Sequence, residues 1–430
     1  MKQHRWFRLL AVLSVLALVV AACGDDDDED EGAGDTTTTE ADEPAPEGDG
    51  VLKIGYLLPE TGALDFLGPA MIQAVQMAAD EINAAGGILG QDVELVAADD
   101  GTDADIASAA TDGLIADGVD VIVGAAASGV SLAVIDKITD TPIVQCSPSN
   151  TGLQFTTYDD GGYYFRTAPP DNLQAQVLSD LITGDGGQVV QIIARSDEYG
   201  EGFANALAEE LNAAGAEAAD PILYDPEATS FTAEAEALAA ANADSIALIA
   251  FEEGGSVIQA AIAAGVGPDT VQWYGTDGIQ SSSFYEAVDP NNPAVVSGIR
   301  GTAPSAAPAD GEATFRERFE AFAPGVDTIF SGHAYDCVIV AALAAAAAGS
   351  DAAEAIQAEM NGVTGGGEQC LLVADCLELI EAGEDIDYDG AAGPLDFVDA
   401  GEPGAGAYDT WEFVDDGSVS VIEESIPVGG

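Results

Sequence analysis

Residues 141–151, TPIVQCSPSNT, set an apolar run, Pro142-Ile143-Val144, directly against Gln, Cys, Ser, Pro, Ser, Asn and Thr. The run reads as a short buried strand that stops in hydroxyls and free backbone groups. In open α/β sheets, ligands sit just beyond the carboxyl ends of strands, so this is a candidate binding edge. Ser128 falls between an apolar strand at 119–123 and a helix beginning near Val130, at the N-cap position. A helix N-terminus offers unpaired N–H groups and partial positive charge, which suits an anion, and the hydroxyl adds a donor. The structural alternative for Ser128 is a serine that caps only its own helix. For the hydroxyls at 147–151 the alternative is an ordinary polar turn.

Chemistry that makes or breaks bonds has little to work with. The two histidines are His4 and His333. A Ser-His-Asp triad would need His333, which opens a helix and has no G-x-S-x-G partner motif, so core or hinge packing accounts for it better. ADDGTD at 98–103 starts like a phosphotransfer motif, but Asp99 and Asp100 are adjacent and the spacing fails. The order D-x-[DN]-x-[DN]-G for calcium is absent, as are Walker A and dinucleotide glycine patterns. No enzymatic activity, cofactor or metal site is expected.

Lys2, Arg5 and Arg8 precede an apolar run at 9–22 that ends in Val20-Ala21-Ala22-Cys23. A basic start, an apolar core of this length and small residues before a cut describe a secretory signal over 1–22. The aliphatic-small-small-Cys pattern resembles a bacterial lipobox. That resemblance implies cleavage before Cys23 and lipidation of that residue; the alternative is an ordinary signal peptide with an incidental cysteine. Residues 24–50 carry thirteen acidic and no basic side chains. Such a segment buries too little apolar surface to offset chain entropy, so 23–50 reads as a lipid-anchored, disordered acidic linker. Residues 51–430 hold seven basic and sixty-four acidic residues, a formal charge of −57. That balance disfavours nucleic acid and anionic membrane surfaces as partners, leaving the lipid anchor as the membrane contact.

Cys146, Cys337, Cys370 and Cys376 follow Cys23. Outside the cytoplasm an even number suggests disulfides. Cys370 and Cys376 can close a small ring in a glycine-rich region. Cys146 and Cys337 then either pair or stay as free buried thiols. No C-x₂-C spacing or nearby histidine supports zinc.

Stepping along the chain, strands at 52–58, 93–98 and 119–123 alternate with helices at 70–85, 106–116 and 131–139 before the 141–151 stretch. The alternation restarts after Pro169-Pro170. Helices at 173–182, 203–214, 233–241 and 256–264 separate strands at 189–194, 222–224, 245–251 and 271–274. Two βαβα series imply two doubly wound, Rossmann-like α/β lobes. Residues 304–310 read as linker, 313–322 and 334–348 as helices, and 395–426 as short strands. The alanine-rich stretch at 341–348 reads as a core helix rather than a membrane span.

From LKIGYLLPETGALDFLGPAMIQAVQMAADEINAAGGILGQDVELVAADDGTD onward the chain resembles the Leu/Ile/Val-binding type of periplasmic binding protein, the type I substrate-binding proteins of amino-acid ABC importers. The likeness continues through DGVDVIVGAAASGVSLAV, TPIVQCSPSNT, RTAPPDNLQ, DEYGEGF, WYGTDG, GHAYDCV and DYDGAAGPLDF, and covers essentially all of 51–430. It implies two lobes joined by a three-strand hinge, with crossovers near 166–169, 299–302 and 389–394. Lobe 1 would comprise 51–167 and 303–389, and lobe 2 would comprise 168–302 and 390–430. The lobes would close on a ligand by hinge motion.

The resemblance also implies roles. Ser149 and Thr151 match positions that hold the α-amino and α-carboxylate groups of an amino acid, with Ser128 beside them. Asp277, at a strand end in WYGTDG, matches an acid for the ligand ammonium, a charge-assisted hydrogen bond. Tyr199 matches a lobe 2 tyrosine that packs over the ligand, and Phe66 a lobe 1 aromatic at the side-chain end. Leu64 and Phe251 add apolar wall, which favours an aliphatic side chain by about 0.8 kcal/mol per buried CH₂. An aromatic YYGGY-like segment of some relatives is represented only by AFEEGG, which separates the side-chain pocket from theirs.

The expected function is therefore that of an extracytoplasmic, lipid-anchored, monomeric receptor. It would pass a small, branched-chain amino acid to ABC permease subunits, which carry out ATP hydrolysis with their own partners. Rival readings are urea, short amides or aromatic acids as ligands, or a ligand-sensing lipoprotein coupled to a membrane signalling partner.

Overall fold

Strand and helix alternate through the first lobe as β1 (Lys53–Leu58), α1 (Gly68–Ala84), β2 (Glu94–Asp99), α2 (Ala104–Ala116), β3 (Val121–Gly124), α3 (Ser128–Thr139), β4 (Val144–Ser147) and β5 (Tyr164–Arg166). The computed structural model describes residues 48–305 and 315–429. The expected signal at 1–22, Cys23 and the acidic segment through 47 lie outside the described residues, as does most of the expected linker at 304–310. The first sheet has the order β2-β1-β3-β4-β5, and every neighbouring pair is parallel. β3 and β4 are buried along their whole length. Continuous buried runs are what a parallel sheet covered on both faces requires.

The second series is α4 (Asp171–Gly184), β6 (Val189–Arg195), α5 (Glu198–Ala214), β7 (Glu217–Ala218), β8 (Ile222–Tyr224), α6 (Thr232–Ala241), β9 (Ser245–Ile249), α7 (Gly254–Ala264), β10 (Gln272–Gly275), α8 (Phe284–Val288) and β11 (Arg300–Pro304). After it come α9 (Phe315–Phe322), α10 (Ser331–Ala348), α11 (Ala353–Glu359), β12 (Glu368–Cys370), α12 (Val373–Ala382), β13 (Ile386–Gly390), β14 (Gly393–Pro394), β15 (Ala405–Phe413) and β16 (Val419–Gly429). The second sheet is ordered β16-β15-β11-β10-β9-β6-β7, with β8 also on β6. It is parallel through β11, β10, β9 and β6, and β15 joins β11 and β16 antiparallel.

The chain leaves the first sheet after β5, packs α9 and α10 back against α1, and crosses again between β14 and β15. These passages make two doubly wound α/β lobes. α10 is long and apolar enough to cross a membrane by composition, but most of it is buried inside the protein. Its Asp336 carboxylate accepts from Tyr388 Oη (2.8 Å) and from the N–H groups of Ala391 (2.7 Å) and Ala392 (2.8 Å). That fastens the β13–β14 turn to the first-lobe core.

Some local expectations shift. The strand expected at 142–144 begins at Val144 and continues through Ser147, because Gln145, Cys146 and Ser147 all register against β5. Ser128 is the first residue of α3 and not its cap; Ala127 holds the cap position in extended geometry, and no side chain caps this helix. The tail forms two long strands rather than short ones, since β15 pairs with β16 from end to end and with β11 over Tyr408–Glu412. Cys370 pairs with Cys376, and Cys146 on β4 pairs with Cys337 on α10. The second bond resolves the open choice between pairing and free thiols. His333 is buried and held neutral, its imidazole pushed down to about 3 by desolvation, and its carbonyl accepts from Thr167 Oγ1 at 2.8 Å.

Candidate functional site

The carboxyl ends of the parallel strands of both sheets face one narrow cavity. Leu64 and Leu67 follow β1, Ala126, Ala127 and Ser128 follow β3, and Ser149 and Thr151 follow β4. From the second sheet come Tyr199 after β6, Phe251 after β9, and Asp277 and Gly278 after β10. Phe330, immediately before α10, completes the lining. Five of the six residues expected from sequence, Ser128, Ser149, Thr151, Tyr199 and Asp277, thus meet around one space, together with Leu64 and Phe251. Phe66 is half-buried against the first-lobe core and does not line it.

One end of the cavity is rich in donors. Ser128, Gly129 and Val130 open α3, and none of their N–H groups donates to a protein acceptor among the described residues. Ser128 Oγ accepts from Gly152 N–H at 3.3 Å, which leaves its own proton available. Ser149 Oγ instead donates to the Ala126 carbonyl at 3.0 Å, so it braces one loop against the other. The acids of ADDGTD serve the same walls. Asp99 accepts from Glu60 and Thr61 N–H, and Asp100 Oδ2 accepts from Ala126 N–H at 3.0 Å. Their chemistry is structural: they hold the loops after β1 and β3 side by side.

The facing wall carries acceptors. Asp277 Oδ1 accepts from Gln174 Nε2 at 2.9 Å and from Tyr199 Oη at 3.4 Å. Tyr199 Oη also lies 2.7 Å from Thr276 Oγ1. Burial pushes the Asp277 carboxyl up to about 6, against the lowering effect of those hydrogen bonds. Behind it, Asp171 at the start of α4 is fully buried and neither carboxylate oxygen has a partner in hydrogen-bond geometry, although the Thr151 hydroxyl lies near enough to favour its ionised form. Desolvation, with Asp277 nearby, raises Asp171 well above the usual carboxylate range.

The remaining walls are apolar and stiff. Phe251 stacks on Tyr199 with centroids 5.5 Å apart, and the Arg195 guanidinium lies 3.6 Å from its ring centroid. Arg195 is itself held by Asp197 (2.5 Å) and Glu253 (3.0 Å). The AFEEGG segment thus supplies both the ring, Phe251, and the anchor for its cation, Glu253. Gly278 lets the loop after β10 close on this ring, since a Cβ there would come within 2.4 Å of the Ala250 carbonyl. Phe330 sits at φ 55°, a left-handed conformation costly for a bulky residue and commonest where function holds it.

Leu67, Phe330, Gly278 and the buried Asp171 were not singled out from the sequence. Leu67 follows Leu64 at helical spacing, which was a usable signal. Phe330 precedes GHAYDCV by two residues and gave no periodic cue. Asp171 reads as a first-turn acid, a position where acids are common for helix-dipole reasons.

Acid should stabilise the ligand-free protein. Burial raises Asp100, Asp120 and Asp277 to about 6 and Asp336 to about 7, from an ordinary 3.8. Between these values the native state holds more protons than the unfolded chain, so this stability is complete below 3.8 and is lost as pH rises through 6 to 7. His333, depressed to about 3, works in the opposite direction below about 6.5. Calorimetry at fixed ionic strength should therefore find a higher melting temperature at pH 6 than at pH 8; a lower one would contradict the assignment.

Two doubly wound lobes that present donors on one wall and a buried carboxylate on the other define a hinged, two-lobed binding protein. The chain belongs to the periplasmic binding protein family, whose model matches residues 51–369. Membership implies a small-molecule binder working outside the cytoplasm. It is 31% identical over 172 residues to the Leu/Ile/Val-binding protein BraC3 of Rhizobium johnstonii, covering 40% of this chain and 47% of that one, so the match spans about half of that relative's length. It is 28% identical over 365 residues to the chemotactic signal transduction system substrate-binding protein BasB of Halobacterium salinarum, covering 82% and 85% of the two chains. Among solved structures, the leucine-binding protein LivK of Thermotoga maritima has a TM-score of 0.71 at 19% identity, over 88% of this chain and 99% of that one. An R. palustris solute-binding protein in complex with 4-hydroxybenzoate has a TM-score of 0.69 at 16% identity, over 88% and 97%. At these identities the structural likeness speaks to the fold alone.

Proposed function

We propose that the chain captures a small aliphatic α-amino acid of the leucine, isoleucine and valine type between its lobes and hands it to an ABC importer. The observation that carries this is the polarity of the cavity. Unpaired N–H groups and the Ser128 hydroxyl suit a carboxylate, and Asp277 faces them across a space otherwise walled by Leu64, Leu67, Phe251 and Phe330. A zwitterion with an apolar side chain complements all three features. Thr151 would give its N–H to the carboxylate and Asp277 would take the ammonium. Asp171 lies behind as a second negative group. We take lobe 1 as 51–167 with 303–389 and lobe 2 as 168–302 with 390–430, Cys23 as lipidated, and the protein as a monomer.

Titration calorimetry of the purified protein against leucine, isoleucine, valine and alanine, with urea, acetamide, benzoate and 4-hydroxybenzoate alongside, tests the reading. Binding is expected for the branched amino acids, and silence across all amino acids would sink it. A second reading, ligand sensing, is favoured by the long match to the chemotactic protein BasB. Loss of amino-acid uptake in a strain lacking this chain supports transport; intact uptake with a lost behavioural response supports sensing.

A further inference from the structure

The loop that carries Thr151 has a nearly complete hydrogen-bond account. The Asn150 carbonyl accepts from Arg166 at 3.2 Å and the Gly152 carbonyl accepts from the same nitrogen at 2.8 Å. Between them, the Thr151 carbonyl accepts from Asp171 N–H at 2.9 Å and the Gly152 N–H donates to Ser128 Oγ. The Asn150 side chain is tied to the Ala125 and Ala126 carbonyls and to Tyr164. One group of this run is left over: the Thr151 N–H, buried and without a protein acceptor among the described residues. Buried N–H groups are rarely orphaned unless something else uses them.

Arg166 governs where that N–H points. In a trans peptide the C=O and N–H point in opposite directions. Drawing the Asn150 carbonyl toward the guanidinium therefore turns the Thr151 N–H away from it, toward the cavity that Thr151 lines. The guanidinium is fully buried, and its remaining donors go to Thr156 Oγ1 at 3.1 Å and, from Nε and Nη2, to Glu402 Oε2. A planar five-donor fork can do this, and a lysine cannot. Glu402 lies on the crossing between β14 and β15, where the Arg166 N–H also donates to the Gly401 carbonyl at 2.9 Å.

We propose that Arg166, held by Glu402, is a positioning residue that aims the Thr151 N–H at the ligand's carboxylate. The inference rests on the amino-acid reading above for what the N–H serves, but not for how it is held. The unmodified protein, Arg166→Lys and Glu402→Gln are compared in two ways. Ligand-free hydrogen exchange of the 148–153 segment should speed up about tenfold or more in both variants while 68–84 is unchanged. Leucine affinity should fall about 10- to 100-fold, while affinity for leucinamide, which has no carboxylate, changes less than about threefold. Unchanged exchange at 148–153, or equal weakening of both ligands, would overturn the proposal. Failure of the unmodified protein to bind leucine would instead count against the amino-acid reading, and the exchange result would then decide the role of Arg166 alone.

Discussion

Replacing Asp277 with alanine is expected to weaken leucine binding about 100-fold or more, read by titration calorimetry at pH 7.5. The carboxylate is buried and its Oδ1 is already engaged by Gln174 and Tyr199, so Oδ2 is the oxygen left for a ligand cation. Truncating one partner of a buried, hydrogen-bonded charge pair costs about 2–5 kcal/mol, because the other charge stays desolvated and unpaired. The variant also separates binding from folding. In the free protein this carboxyl is held up to about 6 by desolvation, so ionising it near neutral pH costs folding free energy. Gln174 Nε2 keeps Thr302 as its alternative acceptor, at 3.0 Å to the carbonyl. The ligand-free Asp277→Ala protein should therefore melt no lower than the parent at pH 8. Unchanged leucine affinity would remove Asp277 from the site. A large fall in melting temperature without ligand would make it a structural residue instead.

The second large effect concerns stability. Cys146→Ser combined with Cys337→Ser should destabilise the protein by about 3–5 kcal/mol in denaturant titrations. The two residues are 191 apart in sequence, and in the chain-entropy account closing a loop of that length is worth about 5 kcal/mol. The pair Cys370–Cys376 is six residues apart, which gives about 2 kcal/mol on the same account, so its removal should be felt much less. The long bond also joins β4, which leads to Ser149 and Thr151, to α10, which follows Phe330, so it holds two walls of the cavity together. An unchanged unfolding midpoint after both substitutions, or after reduction, would refute this contribution.

Hydrophobic period and breaker residues carried the fold. Apolar runs such as VIVG at 121–124 and SIALI at 245–249 are buried at every position, and glycines at 215 and 265 close α5 and α7. A covered parallel strand has no polar face to show, so its sequence reads as one unbroken run. Element ends were less legible. α3 starts two residues before its apolar period does, at Ser128, because its first turn opens at the cavity and carries no core side chain until Val130.

The strand-end positions of Ser128, Ser149, Thr151, Tyr199 and Asp277 were readable because a parallel sheet puts its carboxyl ends on one side. What the chain's order of residues does not state is which strand ends face each other across two lobes. Only the packing brought Phe330 into the lining and left Phe66 half-buried against the core, though both are aromatics beside a helix start. The pairing of Cys146 with Cys337, 191 residues apart, and the reach of Glu402 to Arg166, 236 residues earlier, depend on the chain leaving the first sheet and returning to it. Residue types and local spacing determine that this chain builds two ligand-facing sheet edges. The tertiary structure decides which orphaned N–H, which carboxylate and which rings share the space between them, because those distances are set by chain returns that no local pattern records.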